Sequence, residues 1–457
     1  MKISTVILAA GQGTRMHSST PKVLHRIAGK TLLEHVIQTA KQFSQLSPIV
    51  VYGHQGEMLQ KTLNQTDVIW VHQPEQLGTG HAVSQALSHI PEDHQVLILY
   101  GDVPLISHVT LSKLLENTTK NALGILTAHA HNPQGLGRII RGPKNKIIKI
   151  IEEKDATEKE KQISEINTGI YLVPASYLKK WLPKLDNHNA QKEYYLTDII
   201  EMALHENISI IDTQPDHAEE ILGVNTRHQL AQLERYYQRQ QAKIFLQHGV
   251  TLMDPHRFDV RGDVVIGQDT TIDINVILEG DVKIGERCVI GPHCILRNVT
   301  VGNDVEIRAH SILDGAMIDN ECIIGPFARI RPGTKLAHKS HVGNFVEIKN
   351  SSIGVESKIN HLSYVGDSQI GKQVNIGAGT ITCNYDGVNK HRTTIGDYVF
   401  VGSNSALVAP VTIHDGATIG AGSTITRDAP PNQLTLSRER QKTIENWQRP
   451  VKAEKER

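Results

Sequence analysis

Residues 264–296 read, in groups of six, VVIGQD TTIDIN VILEGD VKIGER CVIGPH CIL. The third place of every group is aliphatic (Ile266, Ile272, Leu278, Ile284, Ile290, Leu296) and the first is small. A helix returns to one face after 3.6 residues and a strand after two, so no single amphipathic element carries this period. Three groups of six close one coil of a parallel β-helix, a prism whose walls are short strands. The series continues through Val301, Ile307 and Leu313, through Ile318, Ile324, Ile330, Leu336, Val342 and Ile348, and through Ile353, Ile359, Val365, Ile370 and Ile376, with occasional steps of five. It resumes at Ile395 and runs through Val401, Leu407, Ile413 and Ile419 to Ile425. The small places, among them Thr270, Cys288, Cys294, Ser311, Ala316, Cys322, Ser357 and Ser363, are expected to fill narrow corners. Glycines after the aliphatics, such as Gly267, Gly285, Gly343 and Gly371, are expected to supply turn conformations. Roughly nine coils at about 4.8 Å spacing predict a rod about 40 Å long.

With 457 residues, the chain exceeds the size at which one core keeps growing, so two domains are expected. Forty-eight basic residues balance forty-eight acidic ones without a basic tract, which argues against nucleic acid and membrane surfaces as partners. No apolar run approaches the length of a membrane span, and the early VILAA is too short and wrongly flanked for a signal peptide. A cytoplasmic protein is expected. Cys288, Cys294 and Cys322 fall at small places inside the prism and should be inert, while Cys383 lies in the interruption.

The first half alternates strand-like runs at 5–9, 49–51, 68–71 and 96–99 with helical stretches such as 23–42 and 82–90, which predicts a parallel α/β sheet. Ligands of such sheets gather at the carboxyl ends of the strands. From Thr226 to about His248, a Gln-, Arg- and Tyr-rich stretch without Gly or Pro reads as a linker helix at the domain boundary. After the first strand comes LAAGQGTRM, then PKVLH. Met16 stands where a dinucleotide fingerprint needs its third glycine, while Arg15 and Lys22 beside a glycine loop suit a triphosphate.

This segment resembles the signature of the sugar-nucleotide pyrophosphorylases. QLGTGHA at 76–82, YGDVPL at 100–105, EINTGIY and GVNTR extend the likeness. With the β-helix, nearly the whole chain resembles the bacterial bifunctional N-acetylglucosamine-1-phosphate uridyltransferase/glucosamine-1-phosphate N-acetyltransferase family. The resemblance implies a Rossmann-like nucleotidyltransferase domain at 1–226, a linker helix at 227–248 and a left-handed β-helix acetyltransferase domain with its tail at 249–457. It implies that Asp102 and Asn225 hold Mg²⁺. UDP-N-acetylglucosamine would contact both of these residues and Lys22. Leu8, Ala9, Ala10, Gly11, Gln73, Gly78, Thr79, Tyr100 and Gly101 would contact its uridine nucleotide, and Gly137, Glu152 and Asn167 its sugar. The implied reaction is attack by the phosphate of N-acetylglucosamine 1-phosphate on the α-phosphorus of UTP, with Arg15 and Lys22 neutralising charge. Gln12 stands where many such enzymes carry a basic residue.

In the β-helix, Arg331 and Lys349 each follow an inward aliphatic and lie eighteen residues apart, so they should be outward neighbours on adjacent coils. Like charges so placed are destabilising unless an anion lies between them. The insertion TITCNYDGVNKHRTT at 380–394 breaks the pattern and is expected to leave the prism, as binding loops do on a rigid solenoid. By the resemblance, His361 is the general base that takes a proton from the glucosamine amine. Arg331, Lys349, Tyr364 and Asn375 then hold glucosamine 1-phosphate. Ala378, Asn384, Tyr385, Ser403, Ala421 and Arg438 line an acetyl-CoA groove, and a homotrimer is implied. The rival reading is a single-activity pyrophosphorylase whose β-helix is only a trimerisation or regulatory module, against which stand Arg331 and Lys349, His361, the insertion and the late SRER segment with Arg438; a purely structural solenoid fails because the first half concentrates phosphate chemistry at strand ends. The charged segment VKAEKER at the end reads as disordered.

Overall fold

The computed structural model describes residues 1–11, 13–450 and 452. Gln12 and the terminal VKAEKER segment, Lys452 aside, lie outside the described residues. The chain divides into two compact units, residues 1–240 and 241–457, with the division inside the helix Arg227–Gln247.

In the first unit the strands order as Ile210–Thr213, Leu123–His129, Glu165–Pro174, Gln95–Tyr100, Ile3–Ala9, Ile49–Tyr52 and Ile69–His72. The sheet is mixed rather than purely parallel, because Glu165–Pro174 runs antiparallel to both of its neighbours. All seven residues of Ile3–Ala9 are buried. They divide by alternation: Val6 and Leu8 join one apolar cluster, and Ile3, Ile7 and Ala9 join the other, so both faces of the sheet are covered. A side hairpin, Arg138–Arg141 with Ile147–Ile151, attaches to Glu165–Pro174 through the pair Arg138 and Ile166.

The helix expected over 23–42 is shorter. Lys22–Leu24 is a 3-10 turn, and Arg26–Ile27 pairs with Lys30–Thr31 as a hairpin closed by Ala28 and Gly29 at φ of 49° and 84°. The helix is Leu32–Lys41, started by Thr31 and Glu34, whose side chains each accept the other's backbone N–H. The stretch expected at 82–90 begins earlier, as the helix Thr79–Ala86, and ends in the 3-10 turn Leu87–His89.

The second unit is the β-helix, all its strand ladders parallel. One wall is an eleven-stranded ladder from Thr251–Leu252 to Leu434–Thr435, and the other walls form a seventeen-stranded sheet. Eleven levels exceed the expected nine because the first and last rungs fall outside the run of sixes. Every inward aliphatic from Ile266 to Ile425 is buried. The small places hold donors for a physical reason: Thr270 Oγ1 donates to Gly285 O at 2.9 Å, Ser357 Oγ to Gly371 O at 2.7 Å and Cys288 Sγ to Gly302 O at 3.1 Å. Hydroxyl and thiol thus satisfy turn carbonyls of the next coil, and burial pushes the Cys288, Cys294 and Cys322 thiols up. Cys383 is half-buried.

Gly325, at φ of 92°, supplies a left-handed conformation as expected, but the other glycines after the aliphatics serve a different purpose. A Cβ on Gly267 would lie 2.6 Å from the carbonyl carbon of Gly285, so close approach of successive coils excludes side chains there. The left-handed turn places fall two residues later and hold Asp269, Arg287, Asp304 and Glu321 on one corner, with His293, His310, Phe327 and Phe345 on another. The last four stack ring on ring at 4.8, 4.9 and 5.1 Å.

The insertion leaves the prism over a shorter span than expected. Ile381–Cys383 and Thr393–Ile395 stay in the ladder, and Thr382, six residues after Ile376, is buried in an aliphatic's place. Residues 384–392 form the extruded loop.

Candidate active sites

In the first unit, a cavity of about 530 Å³ opens at the carboxyl ends of Ile3–Ala9 and Gln95–Tyr100. Leu8, Ala9, Ala10, Gly11, Lys22, Gln73, Gly78, Thr79, Tyr100 and Asp102 line it as expected. So do Gln76 and Ala82, the two ends of the QLGTGHA motif, and Val23 and Glu193, which sequence reasoning missed. Glu193 arrives through tertiary pairing: Tyr194 N donates to Leu77 O and Gly80 N to Tyr194 O, both at 2.8 Å. A Cβ on Gly78 would come within 2.7 Å of Tyr194 O, and the φ of 109° there also requires glycine. Gln73 is buried, and its Nε2 donates to Gly78 O at 3.3 Å, which holds the loop closed. Gly101 stands off the wall and packs against Leu33 and Ala9.

The charged end of this cavity is built on Lys22. Its Nζ pairs with the Asp102 carboxylate and donates to Asn225 Oδ1 at 3.0 Å, and Arg15 Nη2 donates to the same oxygen at 3.1 Å. Backbone hydrogen bonding aligns the two oxygen donors, since Val224 N donates to Asp102 O at 2.9 Å. Gln229 Oε1 accepts from the backbone of Asn225 and Thr226 at 2.8 and 3.0 Å and so sets the entry to the helix Arg227–Gln247. Among the described residues no group of three or more His, Cys, Asp or Glu could enclose a metal ion. Among the described residues the oxygens gathered on the Lys22 ammonium are one carboxylate, of Asp102, and one amide oxygen, of Asn225. Those are hard oxygens with room for further ligands from a phosphate, which fits a magnesium ion.

Gly137, Glu152 and Asn167 also stand off the cavity wall but meet one another: Asn167 N donates to Gly137 O at 2.9 Å, and Gly137 faces the Glu152 carboxyl, which a Cβ would approach to 3.3 Å. Burial raises the pKa of Glu152. Tyr100 packs against Gly169, and burial raises its phenol too. The Glu152 and Asp102 carboxylates add to the rise of that phenol.

In the β-helix, the pairing Ile330 with Ile348 puts Arg331 and Lys349 on neighbouring rungs. They do not face each other unrelieved. Arg331 Nη1 pairs with Glu347 Oε1 at 2.7 Å. Lys349 meets instead a cation absent from the expectation, Lys390, whose proximity, with a smaller contribution from Arg331, holds the Lys349 ammonium below its usual range. Lys390 is carried there by the extruded loop, where Tyr385 and Lys390 form a bridge. Asp386 ties that loop together: Oδ1 accepts from Val388 N at 2.8 Å and Asn389 N at 2.6 Å, and Oδ2 pairs with His391 at 2.7 Å. Asp367 accepts from Asn384 and from Asn350 Nδ2, both at about hydrogen-bond contact.

His361 is exposed, and its Nδ1 lies 2.8 Å from Oδ1 of Asn344, its register partner one coil below. A carbonyl oxygen only accepts, so this bond places the proton on Nδ1 and leaves the Nε2 lone pair free. Tyr364 follows on the wall beside Glu347, and Asn375 pairs in register with Lys358 and Phe400. Ala378, Ser403 and Ala421 form a column, each two places past the paired Ile376, Val401 and Ile419. Arg438 Nη1 closes on Ala421 O at 2.7 Å. Asn384 and Tyr385 stand apart from this column, on the loop, with the Tyr385 hydroxyl turned to Gly387 O.

Residues 5–248 match the model of the MobA-like NTP transferase domain, residues 260–344 that of the GMPPB C-terminal domain, and residues 392–427 the bacterial transferase hexapeptide. The protein of Acinetobacter baumannii (strain ACICU) named bifunctional protein GlmU is 55% identical over 455 residues, covering 100% of both chains. The chain belongs to the bifunctional GlmU family. GlmU proteins of Marinobacter nauticus and Methylococcus capsulatus are each 53% identical, over 99% or more of both chains. A solved UDP-glucose pyrophosphorylase bound to UDP-glucose covers 52% of this chain at 15% identity with a TM-score of 0.44, too distant a likeness to bear on the chemistry. As a GlmU family member the chain is a bifunctional transferase, a nucleotidyltransferase joined to an acyltransferase built on hexapeptide repeats. Among the described residues no helix is long and apolar enough to cross a membrane.

Proposed function

We propose that this enzyme makes UDP-N-acetylglucosamine from glucosamine 1-phosphate, with acetyl-CoA as acetyl donor and UTP as nucleotide donor, for cell-wall precursor synthesis. The observation that carries this reading is likeness to GlmU proteins over the full chain, together with two separate constellations of suitable chemistry.

Acetyl transfer belongs to the β-helix. Arg331, Lys349 and Lys390 receive the sugar phosphate, with Tyr364 and Asn375 against the sugar. The amine attacks the thioester carbonyl, His361 Nε2 takes the amine proton and coenzyme A leaves as the thiolate. Asn344 keeps the other ring nitrogen protonated, so the base presents the correct tautomer. Acetyl-CoA extends along Ala378, Ser403, Ala421 and Arg438, with Asn384 and Tyr385 near its reacting end.

Uridylyl transfer belongs to the first unit. The base of UTP lies on Gln73, Gly78 and Thr79, and its triphosphate crosses Leu8 to Gly11 towards Arg15 and Lys22. The sugar of N-acetylglucosamine 1-phosphate meets Gly137, Glu152 and Asn167, so its phosphate points along Tyr100 to the α-phosphorus, and pyrophosphate departs on the Arg15 side. Asp102 and Asn225 would hold Mg²⁺, which neutralises phosphate charge when bound. Lys22 then turns from these oxygens to phosphate. The domains are a uridyltransferase at 1–226, a helix at 227–248 and an acetyltransferase at 249–457, in a cytoplasmic homotrimer.

Two assays on the purified chain test this. Thiol release from acetyl-CoA should require glucosamine 1-phosphate, and pyrophosphate release from UTP should require N-acetylglucosamine 1-phosphate. A folded protein that gives neither product overturns the reading, and one that gives only pyrophosphate demotes the β-helix to a scaffold.

A further inference from the structure

Arg138 is 1% exposed and ranks among the largest fully buried side chains. A buried guanidinium is costly unless paired, and a well-packed apolar side chain would serve stability as well or better. Its partners define what else it does. Nη2 pairs with Glu153 Oε2 at 2.6 Å and donates to Lys161 O at 3.2 Å, while Nη1 donates to Leu136 O. Among the described residues Nε has no hydrogen-bond partner, so the group is held there by its two terminal nitrogens.

Each end of this ion pair adjoins a residue placed above in the sugar subsite. Arg138 follows Gly137, and Glu153 follows Glu152. Arg138 also pairs in register with Ile151 and with Ile166, the residue before Asn167. One guanidinium therefore ties together the loop ending at Gly137, the segment carrying Glu152 and the turn Glu160–Gln162. These ties control two distances that the subsite depends on: Asn167 N to Gly137 O at 2.9 Å, and Gly137 to the Glu152 carboxyl. The uridine end of the cavity, at Gln73, Gly78 and Thr79, shares none of these contacts.

We propose that the pair of buried Arg138 with half-buried Glu153 is a positioning device for the hexosamine-phosphate subsite, which sets affinity for the acceptor sugar and leaves the nucleotide half untouched. The proposal rests on the uridyltransferase reading of this unit. Neither side chain needs to touch substrate, so both are positioning residues.

The experiment uses E153Q, R138K and the apolar double variant R138M/E153L in the full chain. KM for N-acetylglucosamine 1-phosphate, KM for UTP, kcat and Tm are measured, with sugar-dependent thiol release in the other domain as a check on folding. E153Q is expected to raise the sugar-phosphate KM about tenfold while the UTP KM stays within about twofold, and R138K to raise it less. The double variant is expected to recover Tm but to keep the raised sugar-phosphate KM, which a purely structural pair would not do. Equal shifts in both KM values, or recovery of the sugar-phosphate KM together with Tm, would overturn the proposal. Absence of pyrophosphate release from the unaltered enzyme would sink the uridyltransferase reading itself. A normal unaltered enzyme with unmoved sugar-phosphate KM in every variant would sink only the positioning role.

Discussion

The two sites are assembled by opposite routes. In the first unit Lys22 reaches across 80 residues to Asp102 and 203 to Asn225, at the bottom of a cleft where strand ends meet. In the β-helix His361 meets Asn344 at a separation of 17 and Arg331 meets Glu347 at 16, one coil apart on an open surface. The cleft gains strength from burial, because Lys22 and Asp102 are 11% and 16% exposed and their charges are poorly screened by water. The β-helix site gains its geometry from repetition. Each rung copies the backbone of the last, so a side chain's place follows from arithmetic, and only the loop at 384–392 departs from it.

The contrast makes the sites separable, and the largest effects should be those that remove one chemistry and spare the other. Asp102→Ala is expected to lower pyrophosphate release by at least about 10³-fold, since it leaves the Lys22 ammonium without its carboxylate partner and removes one of the two oxygens proposed to hold the metal, while thiol release is unchanged. His361→Ala should cost about 10²–10⁴-fold in thiol release and nothing in pyrophosphate release. A common loss of both activities in either variant would mean that the units are not independent.

Smaller changes sharpen the comparison. Lys390→Ala should raise KM for glucosamine 1-phosphate about tenfold with kcat nearly constant, and the Lys349 ammonium should titrate higher once its like-charged neighbour is gone. NMR titration of lysine labelled at its side-chain nitrogen reads the second effect. An unmoved Lys349 would mean that the loop does not deliver Lys390 to it in solution. Gly343→Ala tests repetition directly, because a Cβ there would overlap Asn360 O of the next coil. The expected cost is about 1–3 kcal/mol, a fall in Tm of several degrees for the β-helix transition by calorimetry, with the first unit's transition unmoved.

The smallest effect expected is a pH dependence confined to the cleft unit. Burial, aided by Glu201, pushes the Asp198 carboxyl up to about 6 from an ordinary 3.8. A raised carboxyl pKa means that the folded state binds the proton more tightly, so its contribution to stability is full below pH 3.8 and lost as pH rises through about 6. Asp198→Asn should therefore gain on the unaltered protein between pH 4 and 6.5, by on the order of 1–2 kcal/mol once solvent screening of this half-buried carboxyl is discounted. A difference in Tm that stays flat over that range would show that Asp198 is better solvated than its burial indicates.

The fold of the β-helix was legible because a period of six admits one architecture, and its inward aliphatics are the residues the period selects. What misled there was chemistry that imitates the pattern. Thr382 stands in an aliphatic's place and its neighbours stay in the ladder, so the insertion looked longer than it is. Glycines that allow close approach of coils looked like turn formers, while charged and aromatic residues occupy the left-handed places. In the first unit, LAAGQGTRM and YGDVPL were legible as motifs, and Leu8 to Gly11 of the first meet Tyr100 and Asp102 of the second in one cavity. The helix at 23–42 was overestimated because apolar residues on both sides of Ala28 and Gly29 share a helical spacing that a tight hairpin interrupts.

By itself the sequence determined the six-residue solenoid, the separation into two chemistries and the identity of the residues at strand ends, because each is written in local periodicity or a contiguous motif. Only the tertiary structure decided that Glu193 lines the cavity at the strand ends, that Lys390 joins Lys349, that Glu347 neutralises Arg331 and that Arg138 lies buried beside Gly137. Those contacts join distant or non-repeating segments. Their partners are chosen by how the chain packs, which no local spacing records.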